Sequence, residues 1–273
     1  MTAPGARIQH VTDLSKLPAV DPDVPNAARM YDYYLGGSHN FAADRAAAER
    51  VKAAFPFAVE GARANRFFLQ RAVRFCAEQG IDQFLDLGSG IPTVGNVHEA
   101  ARAIDPRARV AYVDNEPVTV ASASALLGDD PLATISMADI RDPAAVLDAP
   151  GVRDLLDLSR PVALLTVAVL HFIGDEDGPA EMLRSYRGHL VPGSVHVLTH
   201  ARADEDPDEA TAVSNAYRST ANPLTIRSRD EVLALFGDTE LVEPGVVDAT
   251  EWRPVDSIGG QHRGMWAGIG RIR

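Results

Sequence analysis

Gln83-Phe84-Leu85-Asp86-Leu87-Gly88-Ser89-Gly90-Ile91-Pro92-Thr93 is an apolar strand running into a tight glycine turn, with an aspartate two residues before the first glycine. Glycine lets the backbone approach a ligand that any Cβ would hold off. Asp86 adds a negative charge at the carboxyl end of the strand, beside the crevice where open α/β sheets bind ligands. A dinucleotide fingerprint needs a third glycine for close helix packing. Thr93, preceded by Pro92, stands at that position. The dinucleotide reading weakens, and Asp-x-Gly-x-Gly remains. A tight turn without a ligand is the plain alternative.

Outward from this turn the pattern alternates. Strands are predicted at Gln83–Leu87, Val110–Asp114, Thr134–Ala138, Val162–Leu170 and Val195–His200. Helices are predicted at Val94–Ile104, Val118–Leu127, Ala144–Leu156 and Gly178–Leu190. Apolar strands alternating with helices imply a parallel sheet covered on both faces. Ser228-Arg229-Asp230-Glu231 is a capping box for a short helix through Phe236. Two strands follow, Leu241–Val247 and Met265–Ile272, joined without a helix, so they read as antiparallel neighbours or as strands far apart in the sheet. The expected fold is α/β: a Rossmann-like, seven-stranded, mostly parallel sheet with an antiparallel terminal strand and an N-terminal helical cap. The expected division is a flexible arm over 1–25, a helical cap and first packing helix over 26–80, and the Rossmann-like domain over 81–273. Within the second part, Asn65–Gln79 carries a helical stripe of Phe68, Ala72, Phe75 and Cys76. Ala203–Ser219 reads as a loop or short lid helix.

The chain has 273 residues and a formal net charge of −12. That length accommodates one large core with a small extra lobe. The acidic balance opposes the phosphate contacts a nucleic-acid substrate needs, so no nucleic-acid partner is expected. No apolar run is long enough to span a bilayer, and no membrane association is expected. The one cysteine, Cys76, rules out an intramolecular disulfide framework, fits a cytoplasmic location and reads as a small buried hydrophobe. His196 and His200 share a strand face without a third ligand, so no metal site is expected.

Four further constellations surround the turn. Val113-Asp114-Asn115-Glu116 closes the second strand. Asp114 can accept from both hydroxyls of a ribose, or cap the helix that starts near Pro117. Glu116 reads as a solvated acid in the first helical turn. Asp139-Ile140 follows the third strand, placing a carboxylate for an adenine amine and an apolar face for its ring; Asp139 capping a turn is the alternative. His171 closes the fourth strand as a conditional general base or as a packed histidine. Arg29-Met30-Tyr31-Asp32-Tyr33-Tyr34-Leu35-Gly36-Gly37 puts three aromatic faces beside a double glycine. Aromatic faces can enclose a cation, or staple the cap to the sheet. Asn65-Arg66 can join this group. Together these features suit a ligand with a cationic amino-acid end and a nucleoside end, such as S-adenosylmethionine.

With these motifs in place, the chain resembles class I S-adenosylmethionine-dependent methyltransferases. More narrowly, it resembles the actinobacterial S-adenosyl methyltransferase family. That likeness rests on Asn26–Gly37, Asn40-Phe41-Ala42-Ala43-Asp44-Arg45, Asn65-Arg66, Gln83–Thr93, Asn96-Val97-His98-Glu99 and Tyr112-Val113-Asp114-Asn115. It continues through Asp139-Ile140-Arg141-Asp142-Pro143, Val169-Leu170-His171-Phe172, Pro192-Gly193-Ser194 and Trp252-Arg253-Pro254. The resemblance implies S-adenosylmethionine binding and names no acceptor. The expected cofactor contacts are Asp86, Gly88, Gly90, Asp114, Asn115, Asp139, Ile140 and Arg66, with Tyr31, Tyr34, Gly36 and Gly37 covering the methionine end. The expected reaction is methyl transfer to a small-molecule acceptor, leaving S-adenosylhomocysteine. A binding protein without turnover and a nicotinamide-dependent oxidoreductase are the rival readings. Oligomeric state is not legible.

Overall fold

The structure is a computed structural model that describes residues 17–91, 95–202, 207–218, 220–254 and 264–273. Pro92 and Thr93 of the glycine turn lie outside the described residues, as do residues 1–16 of the expected arm.

Five parallel strands form the centre of the sheet: β1 (Gln83–Leu87), β2 (Arg109–Asp114), β3 (Ala133–Met137), β4 (Ala163–Thr166) and β5 (Val195–Ala201). Their order in space is β3-β2-β1-β4-β5. β1 pairs with β2 on one side and β4 on the other. The chain therefore reverses its winding at β1, and a crevice opens where the connections diverge. Alternation along β1 feeds both faces of the sheet. Phe84 packs into one core with Val110, Tyr112 and Leu165, while Leu85 and Leu87 enter the other with Val113 and Leu198.

The first face is covered by α3 (Ala58–Glu78), α4 (Val97–Arg102) and α5 (Pro117–Leu127). α3 starts at Ala58, earlier than predicted, and its stripe buries Phe68, Leu69, Ala72, Val73 and Cys76. Trp252 seals this face, edge-on to Phe68 at 5.4 Å between ring centroids. Burial pushes the Cys76 thiol up to about 12, so the cysteine behaves as an inert apolar side chain. The second face is covered by α6 (Pro143–Asp148), α7 (Pro150–Arg153), α8 (Pro179–Gly188) and α10 (Arg229–Leu235). The single helix predicted at Ala144–Leu156 is thus two. Pro150 lacks the N–H that would continue the ladder and starts a new helix instead.

Two other predictions change. The strand predicted at Val162–Leu170 stops at Thr166, and Leu170–Phe172 is a 3₁₀ turn. The strand predicted at Leu241–Val247 is two short pieces, β6 (Glu240–Leu241) and β7 (Val247–Asp248), separated by the Glu243-Pro244-Gly245 turn. Both pieces pair antiparallel with β8 (Met265–Arg271), which itself lies antiparallel to β5. The sheet path therefore has seven strand positions, the two short pieces flanking β8 along one edge.

Over the carboxyl ends of the strands sits a third apolar cluster. It joins α1 (Ala27–Tyr34), α2 (Ala42–Ala54) and α9 (Pro207–Tyr217) through Met30, Tyr34, Ala47, Val51, Val213 and Tyr217. α9 falls within the segment predicted as a loop or lid helix. Residue 25 is buried, and its carbonyl accepts from the Ala221 N–H, so the end of the expected arm is tied into this layer. None of the described helices is long and apolar enough to cross a membrane.

Candidate functional site

A cavity of about 510 Å³ lies between the strand ends and the cap, within the size range of small-molecule sites. Its floor is the glycine turn. Gly88 and Gly90 have φ of +66° and +62°, the left-handed region that glycine adopts without strain. At Gly88 a Cβ would overlap the Val169 side chain, whereas at Gly90 it would meet nothing within 4 Å. The two glycines thus differ: one is packed, the other faces open space. Gly88→Ala is expected to destabilise the fold by about 2 kcal/mol or more, from strain plus overlap. Gly90→Ala should lose about 1–2 kcal/mol of stability from strain alone, with its larger effect on ligand affinity. Urea unfolding beside ligand titration separates the two variants; equal behaviour would contradict this distinction.

Asp114 fixes the turn. Its Oδ2 accepts from the Gly90 N–H and its Oδ1 from the Glu116 N–H, both at 2.9 Å. Burial raises its pKa to about 6 against those hydrogen bonds. Asn115 is exposed at the cavity edge. Asp86 differs from Asp114. It is 5% exposed and lines the cavity. Among the described residues no hydrogen bond reaches its carboxylate. Burial raises its pKa to about 7, with Arg66 opposing and Asp114 reinforcing the rise. Arg66 projects from α3 with its Nε unpaired and its guanidinium 5.8 Å from the Tyr31 ring centroid. A buried carboxylate and a guanidinium, each short of hydrogen-bond partners, suit a zwitterion.

A buried chain of hydrogen bonds braces this corner. The Ala168 N–H donates to Thr199 Oγ1, which donates to Asn65 Oδ1; Asn65 Nδ2 donates to the Tyr31 hydroxyl, which donates to the Ala62 carbonyl. Ala168 has φ of +56°, a strained conformation for a residue with a Cβ. The chain therefore holds β4's strained exit, β5, α3 and α1 in one arrangement. Thr199 and Ala168 carried no sequence signal for this role, since both lie within apolar strand patterns.

Asp139 and Ile140 reach the cavity, as predicted by position. Asp139 is half-exposed and doubly bonded to Arg141, whose hydrogen bonds lower its pKa. Ile140 is buried, and its carbonyl accepts from the Tyr186 hydroxyl.

Several sequence expectations require correction. Gly36 and Gly37 do not line the cavity. Gly37 donates its N–H to the Asp32 carbonyl, and a Cβ there would overlap the Asp32 carboxylate. The same carboxylate accepts from the His39 N–H and from Asn40 Nδ2. The double glycine thus turns the chain after α1. Glu116 is not solvated. It is 4% exposed, caps α5 through the Thr119 N–H, and accepts from Arg29 at 2.7 Å. Arg29 also bonds Asp44 at 2.8 Å and the Val24 carbonyl at 2.6 Å. This tie locks the cap to the strand that carries Asp114. The sequence did not reveal it, because Arg29 and Glu116 are 87 residues apart.

His171 lines the cavity, but as part of the 3₁₀ turn. Its Nδ1 accepts from the Ala201 N–H at 3.1 Å. A backbone N–H can only donate, so the neutral ring carries its proton on Nε2. Burial, helped by His200 and Arg227, holds its pKa well below the usual histidine value. No free lone pair remains, and the conditional base of the sequence reading does not fit this geometry. His200 is also engaged: its Nδ1 donates to the Ala201 carbonyl and its Nε2 accepts from Arg227. His196 bonds Thr166. Tyr31 and Tyr34 both line the cavity.

A family profile described as S-adenosyl methyltransferase matches residues 14–273. Among solved structures, a DUF574 family protein from Streptomyces avermitilis shares 37% identity over 93% of this chain and 100% of its own, with a TM-score of 0.90. A candidate methyltransferase from Thermobifida fusca shares 40% identity over 92% of this chain and 96% of its own, with a TM-score of 0.87. Among curated proteins no sequence matches.

Proposed function

The chain belongs to the S-adenosyl methyltransferase family, and from that premise we propose that its crevice delivers the methyl group of S-adenosylmethionine to a small-molecule acceptor held under the cap. The observation that carries this reading is the Asp86–Arg66 corner. Asp86 would hold the ammonium and Arg66 the carboxylate of the amino-acid end. Gly88 and Gly90 would admit the cofactor to the backbone. Asp114, with Asn115 beside it, would hold the ribose, and Asp139 with Ile140 the adenine. Tyr31 and Tyr34 would close the methionine end. When bound, the cofactor supplies an electrophilic methyl on a sulfonium, so the protein needs chiefly to align an acceptor and exclude water. The small volume under the cap and the absence of a basic surface balance favour a small molecule over a nucleic acid.

Calorimetric titration with S-adenosylmethionine, S-adenosylhomocysteine and NAD tests the cofactor site. Binding of the first two and none of NAD is expected; the reverse would overturn the reading. The affinity should depend on pH through Asp86. Its free-protein pKa is raised to about 7, and the ammonium requires its ionised form. Affinity should be highest at about pH 7–8, between the titrations of the Asp86 carboxyl and the cofactor's own ammonium, and fall up to about tenfold per pH unit below that range. A flat profile between pH 5 and 8 would remove Asp86 from the site. For the acceptor, labelled methyl should pass from cofactor into small metabolites of a cell extract. Label found only in macromolecules would overturn that part.

A further inference from the structure

The cap side of the cavity has a chemistry distinct from the cofactor side. Tyr31, Tyr34, Val51, Phe55, Val213 and Tyr217 line it. The charges nearby are mostly committed: Glu116 is bonded to Arg29, and Asp139 to Arg141, while Glu176 lies at the exposed rim. An acceptor there meets apolar and phenolic surface and has no carboxylate of its own to neutralise an ammonium. The methyl donor beside it is itself a cation, which disfavours a second positive charge and favours a negative one.

One hydrogen-bond donor without an acceptor lines this space. His171 Nε2 carries the ring proton, because Nδ1 is held by the Ala201 N–H. No described residue accepts from Nε2. The Tyr34 hydroxyl is spoken for: it is buried against the Tyr217 phenol and closed to the cavity. A continuous aromatic wall runs from this donor: the His171 and Phe172 rings lie 4.4 Å apart, and Phe172 lies 5.7 Å from Tyr217. The groups packed against His171 keep it neutral. His200 stands 5.5 Å away, its own pKa lowered to about 4 by burial. Arg227, bonded to His200, to the Leu170 and Ile173 carbonyls and to Asp175, adds positive charge behind the ring. The imidazole is thus a fixed N–H donor across the neutral pH range.

We propose that His171 is a hydrogen-bond donor to the reacting oxygen of the acceptor, and that the acceptor is a flat apolar molecule bearing an acidic hydroxyl, a phenol or enol. This deepens the methyltransferase reading and rests on it. The hydroxyl proton leaves to water on ionisation, and the His171 N–H stabilises the oxyanion. A lone pair of that oxygen forms the O–CH₃ bond as the C–S bond breaks, its electron pair remaining on sulfur to give S-adenosylhomocysteine. No protein base is required.

The probe is 4-nitrophenol, whose phenolate is coloured, added to protein saturated with S-adenosylhomocysteine. With that product bound the sulfur is neutral, so any bias toward the phenolate comes from the protein. The bound dye should show a phenolate-to-phenol ratio about tenfold above that of the free dye at the same pH. His171→Asn keeps an acceptor for the Ala201 N–H and removes the donor at the Nε2 position; it should abolish the excess. His171→Gln restores a donor there without a usable base and should recover most of it. A dye that fails to bind, binds as the phenol, or keeps its full excess in His171→Asn would overturn the proposal. Calorimetry with S-adenosylhomocysteine on the same samples distinguishes the premises: loss of product binding in the unsubstituted protein sinks the methyltransferase site itself, whereas intact product binding with no phenolate excess sinks only the acceptor assignment.

Discussion

Asp86→Asn is expected to raise the melting temperature of the free protein at pH 8 while weakening S-adenosylmethionine binding about 10–100-fold. Both effects come from the same burial. The folded-state pKa of Asp86 lies near 7 against an ordinary 3.8. A carboxylate whose pKa is raised on folding favours the folded state fully only below its unfolded value. That contribution is lost as pH rises through the folded value. Above pH 7 the buried charge therefore costs up to about 4 kcal/mol relative to low pH. Asparagine removes the charge, and a gain of even 1–2 kcal/mol raises the melting temperature by several degrees. At pH 5 the gain should fall by more than half, since Asp86 is then protonated in the folded protein, and it should vanish only below the ordinary value of 3.8, where the unfolded chain is protonated as well. The affinity loss follows from replacing a charge-assisted hydrogen bond to the ammonium, about 1.5–3 kcal/mol. Thermal melts at both pH values, with calorimetry at pH 8, test the pair of effects. A variant that melts lower and binds unchanged would show that Asp86 is a structural residue.

The second large effect should come from Arg29→Met. Arg29 is 2% exposed and bonded to Asp44 and Glu116, both buried as well. Removing the shared cation leaves two carboxylates in the interior without their counter-charge, a loss of about 3–5 kcal/mol. The remaining hydrogen bonds, from the Asn26 and Phe41 N–H groups to Asp44 and from Thr119 to Glu116, do not replace it. Adding Glu116→Gln and Asp44→Asn to Arg29→Met should recover much of the stability, because no buried charge then remains. Urea unfolding of the single and triple variants measures this. A single variant within about 0.5 kcal/mol of the parent would show that the tie is not what seats the cap.

The part of the site that was legible in the sequence is the part built from local pattern. Asp86, Gly88, Gly90 and Asp114 sit at strand ends, and a strand end is a sequence event: apolar alternation stops and a turn residue follows. Asp139 and Ile140 were placed by the same logic. The tie from Arg29 to Glu116 was not legible, because nothing in a sequence pairs two residues on different layers. For the same reason Glu116 read as an ordinary surface acid. Gly36-Gly37 misled because a ligand cradle and a turn after a helix both select glycine: Gly36 takes a left-handed φ, and a Cβ at Gly37 would overlap the Asp32 carboxylate. Pro150 could have divided the helix predicted at Ala144–Leu156, but apolar spacing on both sides of it is continuous and outweighed the missing N–H. The base assigned to His171 failed on a single backbone donor, the Ala201 N–H, which only the folded chain brings to Nδ1.

The placement of β8 has a consequence for the order in which the protein assembles. β8 follows β6 and β7 in the chain, yet it is the strand on which both of them pair. Until Met265–Arg271 is synthesised and docked along β5, the 229–254 region has no ladder to join. Val246, Ala249 and Trp252, all buried in the finished protein, must wait for it. The central parallel strands can form earlier from contacts already present in the growing chain. The edge that carries Trp252 is thus a late event with long-range contacts, the slow kind in folding. A chain released before β8 would carry a central sheet with an open β5 edge, a template for pairing with other chains.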